Sequence, residues 1–197
     1  MEAVIIDSGG ANLASLQFAF ERLGARTHVS SDAREIASAP RVVLPGVGSA
    51  GDAMQRLRRS QIAAVLPTLG QPLLGICLGM QLLFEGSAEG STACLGILPG
   101  MVRRLAASRE RPVPHMGWNQ LAHARPDPLL EGIEAGAYFY FVHSYAVPDC
   151  EVTVARTEYG EPISALVRRD NFCGTQFHPE RSASAGARLL SNFLRLK

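Results

Sequence analysis

The first half of the chain alternates short apolar runs with longer stretches whose apolar positions recur every three or four residues. Residues 4–6 are an apolar run ending at Asp7. Leu13, Leu16, Phe20 and Leu23 then repeat at helical spacing until Gly24 stops them. Residues 27–29 read as a second strand, and 32–37 as a short helix capped by Asp32. A third strand over 41–44 is broken by Pro45-Gly46-Val47-Gly48, residues 52–66 read as helical, and 72–76 as the next strand. Strands alternating with helices predict an α/β fold with a parallel sheet covered on both faces. Sites in such sheets form beyond the carboxyl ends of the strands. Asp7-Ser8-Gly9-Gly10, the 45–48 loop and Cys77 all fall at such ends.

The second half has a different texture. Residues 94–122 carry Gly and Pro without clear periodicity, and 138–142 read as an aromatic strand followed by His143-Ser144-Tyr145. Residues 152–155, 163–167 and 172–176 read as antiparallel strands. A closing helix over 183–196 sets Leu189, Leu190, Phe193 and Leu194 on its apolar side. With no repeat or linker, the expectation is a single domain over residues 1–197.

Composition narrows the function. At 197 residues and 47% hydrophobic, the chain has material for one ample core. Nineteen basic against 18 acidic residues argue against a nucleic-acid partner. Lys197 is the sole lysine. Cys77, Cys94, Cys150 and Cys173 lack Cys-x-x-Cys spacing, so neither a metal site nor a disulfide framework is expected. A reducing cytoplasm fits best. The start reads as a strand rather than a signal peptide. No apolar stretch approaches the roughly 20 residues that span a bilayer, so no membrane role is expected.

The candidate chemistry begins at Gly75-Ile76-Cys77-Leu78-Gly79. A cysteine between two glycines, between a buried run and an amphipathic one, has the form of a nucleophile elbow. Leu78, Leu82 and Leu83 would start a helix whose positive end favours the thiolate. By itself the turn also fits a buried structural cysteine. A base and its orienting acid are offered by Phe177-His178-Pro179-Glu180. In an extended segment His178 and Glu180 point the same way, and Pro179 keeps the segment out of helix. Of the other histidines, His28 and His123 read as solvated, and His115 and His143 lie in segments with other roles. The 45–48 loop can supply an oxyanion hole through the N–H groups of Val47 and Gly48, with Leu78 N–H as a further donor.

Pro-Gly-Val-Gly, Gly-Ile-Cys-Leu-Gly-Met-Gln and Phe-His-Pro-Glu, in this order, resemble the class I (triad) glutamine amidotransferases over essentially the full chain. That resemblance implies a flavodoxin-like, doubly wound architecture. Within the class, the 45–48 loop, Pro114-His115-Met116-Gly117-Trp118-Asn119 and His143-Ser144-Tyr145 are most similar to the glutaminase subunits of imidazole glycerol phosphate synthase. Two departures stand out. Relatives usually begin Asp-Tyr-Gly-x-Gly-Asn-Leu where this chain has Asp7-Ser8-Gly9-Gly10-Ala11-Asn12-Leu13, and they commonly carry lysine at Arg181.

The resemblance implies L-glutamine as substrate, no cofactor, and Cys77, His178 and Glu180 as the triad. Gly46, Gln81, Glu89 and the backbone around Ser144 and Tyr145 would bind the substrate's amino-acid end. It also implies a heterodimer with a cyclase subunit, a (β/α)₈ barrel that takes ammonia through a channel and forms imidazole glycerol phosphate and an aminoimidazole carboxamide ribotide in histidine biosynthesis. Met116, Trp118, Asn119 and Arg181 would meet that partner. Without it, the Val47 peptide is expected to turn away from the oxyanion hole, leaving the subunit nearly inactive. The alternatives are the glutaminase of another amidotransferase, such as pyridoxal phosphate synthase, or a stand-alone cysteine γ-glutamyl hydrolase.

Overall fold

The structure is a computed structural model, and residues 1–8 and 13–197 are described. Gly9, Gly10, Ala11 and Asn12, which hold most of the altered first loop, lie outside the described residues. The alternating half forms β1 (Glu2–Ile6), α1 (Leu13–Arg22), β2 (Arg26–Ser30), α2 (Ala33–Ser38), β3 (Val42–Gly46), α3 (Ala50–Arg59), α4 (Ile62–Val65), β4 (Leu73–Cys77) and α5 (Leu78–Gln81). Then come β5 (Phe84–Ser87), β6 (Thr92–Ala93), β7 (Leu98–Arg104), β8 (His115–Gln120), β9 (Ala122–His123), β10 (Tyr138–His143) and β11 (Tyr145–Ala146). The chain closes with β12 (Thr153–Glu158), β13 (Pro162–Arg169), β14 (Phe172–Thr175) and α6 (Ala183–Arg195).

An eight-stranded sheet runs β2-β1-β3-β4-β14-β13-β12-β9. Its first five strands are parallel, and β13, β12 and β9 continue it antiparallel. Alternate residues of the parallel strands face opposite layers. Ala3, Ile5, Val43, Leu74 and Ile76 pack with Leu16, Phe20, Leu189 and Phe193. Val4, Ile6, Val42, Leu44 and Leu73 pack with Met54, Leu57 and Ile62. Burial on both faces explains why these strands read as unbroken apolar runs. Each fully buried side chain of this kind stabilises the fold by about 1.5–3 kcal/mol. A four-stranded sheet, β11-β7-β5-β6, and a β10-β8 ribbon flank the carboxyl edge. Among the described residues no helix is long and apolar enough to cross a membrane.

Four local expectations are revised. The stretch 52–66 is two helices, because Gln61 takes a left-handed φ of 61° and Ser60 Oγ donates back to the Arg56 and Leu57 carbonyls. The helix after Cys77 lasts one turn. The carbonyls of Leu82, Leu83 and Phe84 are taken by N–H groups of Leu95, Gly96, Ile97 and Leu98, which pull the chain into β5. A one-turn helix has almost no macrodipole, so α5 does not supply the help to a thiolate that a longer helix would. The aperiodic 94–122 segment contains β7 and β8, whose pattern is interrupted by Gly100 and Gly117 at φ 116° and 134°. Residues 179–181 form a 3-10 turn, not an extended segment. Pro179 sits in its first turn, where a missing N–H costs nothing.

Candidate active site

Cys77 ends β4 at φ 55°, ψ −112°, a conformation that a side chain adopts only when its surroundings force it. Three glycines supply the force. A Cβ on Gly79 would lie 1.8 Å from the Leu44 carbonyl oxygen, and one on Gly75 would lie 2.7 Å from the Gly79 oxygen. One on Gly46 would meet the Gly79 nitrogen at 2.7 Å. The elbow therefore seats directly on β3. The same packing sets Gly46 beside Cys77 in register, so the 45–48 loop emerges next to the sulfur. Gly48 turns that loop at φ 89°, Val47 is partly exposed, and the Ser8 hydroxyl donates to the Pro45 carbonyl at 2.8 Å.

On the other side of β4, β14 pairs in parallel with Thr175 beside Ile76, and its continuation delivers His178 to the sulfur. His178 Nδ1 lies 2.8 Å from Glu180 Oε1, and His178 shares its cavity with the Cys77 sulfur. The turn is held from outside: His178 N–H donates to the Tyr140 carbonyl, and Ser182 Oγ donates to the His178 carbonyl while accepting from Tyr140 N–H. Burial alone would push the His178 imidazole down. The hydrogen bonds and charges of Cys77 and Glu180 outweigh it and lift the pKa to about 10. Among the described residues Glu180 Oε2 has no partner. Burial pushes the Cys173 thiol up to about 12 and the Cys94 thiol to about 11.

Cys77, His178 and Glu180 line one cavity of about 500 Å³. Val47, Gly48, Leu78, Gly46, Gln81, Glu89, Ser144, Tyr145 and Arg181 also border it. Several of these have further duties. Both N–H groups of Gln81 are committed, to the Tyr145 carbonyl at 2.7 Å and Gln176 Oε1 at 2.9 Å. Glu89 Oε2 accepts from Ala50 N–H at 2.7 Å and so caps α3, just after the 45–48 loop. The Ser144 carbonyl accepts from Leu105 N–H.

The expected partner face is divided by the pleat of β8. Met116 and Trp118 point outward and are 68% and 52% exposed, with Tyr138 and Tyr140 beside them on β10. The Arg181 guanidinium lies over the Tyr140 ring at 5.7 Å, so it joins this face. Asn119 does not. One residue on from Trp118, its side chain turns inward to the Glu158 carbonyl and His115 Nε2. Tyr138 and Tyr140 were missed because their strand gave no sign of which side faces out.

Sequence reasoning also missed Gln176, whose Nε2 lies 3.8 Å from the Cys77 sulfur. The chain bends at residues 176 and 177, between β14 and His178, so strand alternation alone does not place Gln176 at the sulfur.

The sequence profile of the family described as "Glutamine amidotransferase class-I" matches residues 4–196. The chain is 53% identical over 195 residues to "Imidazole glycerol phosphate synthase subunit HisH" of Xylella fastidiosa, covering 99% of this chain and 98% of that protein. It is 51% identical, with the same coverage, to the protein of that name in Xanthomonas oryzae. Among solved structures, a glutamine amidotransferase superposes with a TM-score of 0.76 at 20% identity, over 98% of this chain and 96% of that one. PurLQS from Thermotoga maritima gives 0.76 at 20%, over 98% and 97%. These two likenesses speak to the fold alone.

Proposed function

The chain belongs to the class-I glutamine amidotransferases and within them to the HisH subunits of imidazole glycerol phosphate synthase; from that premise we propose that Cys77, His178 and Glu180 release ammonia from L-glutamine for a separate cyclase subunit. The observation that carries the site is His178, held by Glu180 at 2.8 Å in the same cavity as the elbow sulfur, whose charge raises its proton affinity.

The Cys77 thiolate attacks the side-chain amide carbon, forming the C–S bond, and negative charge moves to the carbonyl oxygen. In the complex, with the Val47 peptide turned inward, the N–H groups of Val47, Gly48 and Leu78 would receive it. Each such donor is worth about 3–4 kcal/mol in related chemistry. His178, an imidazolium below about pH 10, gives its proton to the departing nitrogen, and ammonia leaves as the C–N bond breaks. The thioester no longer carries the charge that helped raise the His178 pKa. Burial then weighs more, and the neutral imidazole can take a proton from water as water attacks the thioester. Glutamate departs and the thiolate returns. Acid and base are one side chain whose proton affinity follows the charge on sulfur.

Substrate recognition falls to what the wall leaves uncommitted. With its N–H groups spent, Gln81 offers only Oε1, an acceptor suited to the α-ammonium together with Glu89. Backbone near Ser144 and Tyr145 faces the carboxylate end. The face formed by Met116, Trp118, Tyr138, Tyr140 and Arg181 docks a (β/α)₈ cyclase in a heterodimer. Its rim reaches the cavity at Arg181, so ammonia would pass directly between subunits.

Glutaminase turnover of the purified chain, alone and with the cyclase subunit, tests this reading. Turnover is expected to be low alone and to rise steeply in the complex. Cys77→Ala should lower it by at least about a thousandfold while the complex still forms. Full activity without the cyclase would favour a stand-alone hydrolase instead.

A further inference from the structure

Between half-buried Asn119 on the inner side of β8 and the nucleophile runs a chain of polar groups of which the mechanism above uses only Gln81, through its Oε1. Asn119 Nδ2 is 3.3 Å from His115 Nε2, and His115 Nδ1 is 3.0 Å from His143 Nε2. His143 Nδ1 is 2.8 Å from the Tyr145 carbonyl. That oxygen also accepts from Gln81 Nε2, which donates in turn to Gln176 Oε1, and Gln176 Nε2 points at Cys77 Sγ. His115, His143, Gln81 and Gln176 are each at most 6% exposed, so water does not substitute for a missing link.

The direction of every bond follows from the Tyr145 carbonyl, which can only accept. His143 must carry its proton on Nδ1, which leaves Nε2 an acceptor. His115 must then donate from Nδ1, and its Nε2 accepts from the Asn119 amide. On the other branch, Gln81 must present Nε2, so Gln176 must present Oε1 to it and N–H to the sulfur. No amide or imidazole on the path is free to flip. Burial supports this assignment, holding the pKa of His115 down to about 4 and that of His143 to about 3, so both rings are neutral. His115 is also clamped by stacking against Tyr159 and Phe141, with ring centroids 4.0 and 4.9 Å away.

We propose that Gln176 is a hydrogen-bond donor to the Cys77 nucleophile, and that Gln81, His143, His115 and Asn119 are positioning residues that fix its orientation. This rests on Cys77 being the nucleophile of the proposed glutaminase. It supplies what the one-turn α5 cannot, a fixed N–H aimed at the sulfur that stabilises negative charge there, against the Val142 carbonyl, which accepts from the thiol at 3.8 Å. Within the chain the Tyr145 carbonyl is the junction, taking one hydrogen bond from each branch. The titratable groups sharing the cavity with the sulfur include His178 and Glu180 from the turn after β14, His143 from β10 and Tyr145. Glu89 and Arg181 line the same cavity.

Alkylation of Cys77 by iodoacetamide, followed by mass spectrometry of its peptide as a function of pH in the complex with the cyclase, tests this without glutamine. Gln176→Glu keeps the shape but replaces the donor with an acceptor, and the midpoint should rise by about one pH unit or more. Gln176→Leu should raise it less. His143→Leu breaks the chain and should also raise the midpoint, while His143→Gln, whose amide can donate to Tyr145 and accept from His115, should restore it. In glutamine turnover the Gln176 variants and His143→Leu should lower kcat about tenfold with KM little changed, and His143→Gln should recover it. An unmoved midpoint in the Gln176 variants, or His143→Gln behaving like His143→Leu, overturns the proposal. Should Gln176→Glu fail to fold, the His143 pair decides. Alkylation that shifts as expected, in a wild-type complex that does not hydrolyse glutamine, would fall on the proposed function instead.

Discussion

Behind the cavity wall, at Gly79, backbone is packed so closely that a methyl group would collide with the Leu44 carbonyl. Across the cavity, His143 reaches the same space at the end of a ribbon with one face open to solvent, held by hydrogen bonds rather than by fit. The first wall is stiff because it is full, since close-packed interiors do not yield to an added atom. The second is stiff only while each polar partner is present, because a buried donor without an acceptor is costly. The parallel half therefore supplies the nucleophile's shape, and the ribbon supplies its polar setting and the way in from outside.

The largest effect should come from the full wall. Gly79→Ala is expected to cost more than about 3 kcal/mol, enough to leave little folded protein, as read by thermal unfolding and soluble yield. A folded, active Gly79→Ala protein would show that the elbow can slide off β3, and the contrast between the walls would fail. Glu180→Gln should leave stability nearly intact yet lower kcat about a hundredfold, or about 3 kcal/mol. It should also move the alkaline limb of the pH–rate profile to lower pH. The sign follows from His178, whose raised pKa keeps it protonated up to about 10 with Glu180 as one of the causes. The stability linked to that proton is complete below 6.5 and lost as pH rises through about 10. An unmoved alkaline limb would assign the elevation to Cys77 alone. Trp118→Ala should change stability by less than about 0.5 kcal/mol, yet weaken the cyclase complex by about 2 kcal/mol, roughly thirtyfold in Kd, in a titration. Equal losses in stability and affinity would mean that the outer face of the ribbon holds up the fold as well.

The same contrast explains what could be read from the sequence. Gly75, Cys77 and Gly79 lie within five residues, and His178 and Glu180 within three, so the turn chemistry of each is local and legible. The buried runs of β1, β3 and β4 announce a parallel sheet for the same reason. Asn119 shares a motif with Met116 and Trp118, but a motif gives neighbours, whereas a pleat separates them. His115 and His143 meet only once β8 and β10 pair in register, and no residue near either records that pairing. The brevity of α5 was hidden too, since the N–H groups that end it come from residues 95–98.

The left-handed backbone at residue 77 is imposed by Gly46, Gly75 and Gly79, none of which depends on sulfur. An alanine or serine placed there inherits the same perch, angle and neighbours. The elbow is thus a mount indifferent to what it carries, and an inert version can be fitted without disturbing the instrument around it. Such a substituted protein is a natural trap for intact glutamine, preserving an encounter that the working enzyme destroys.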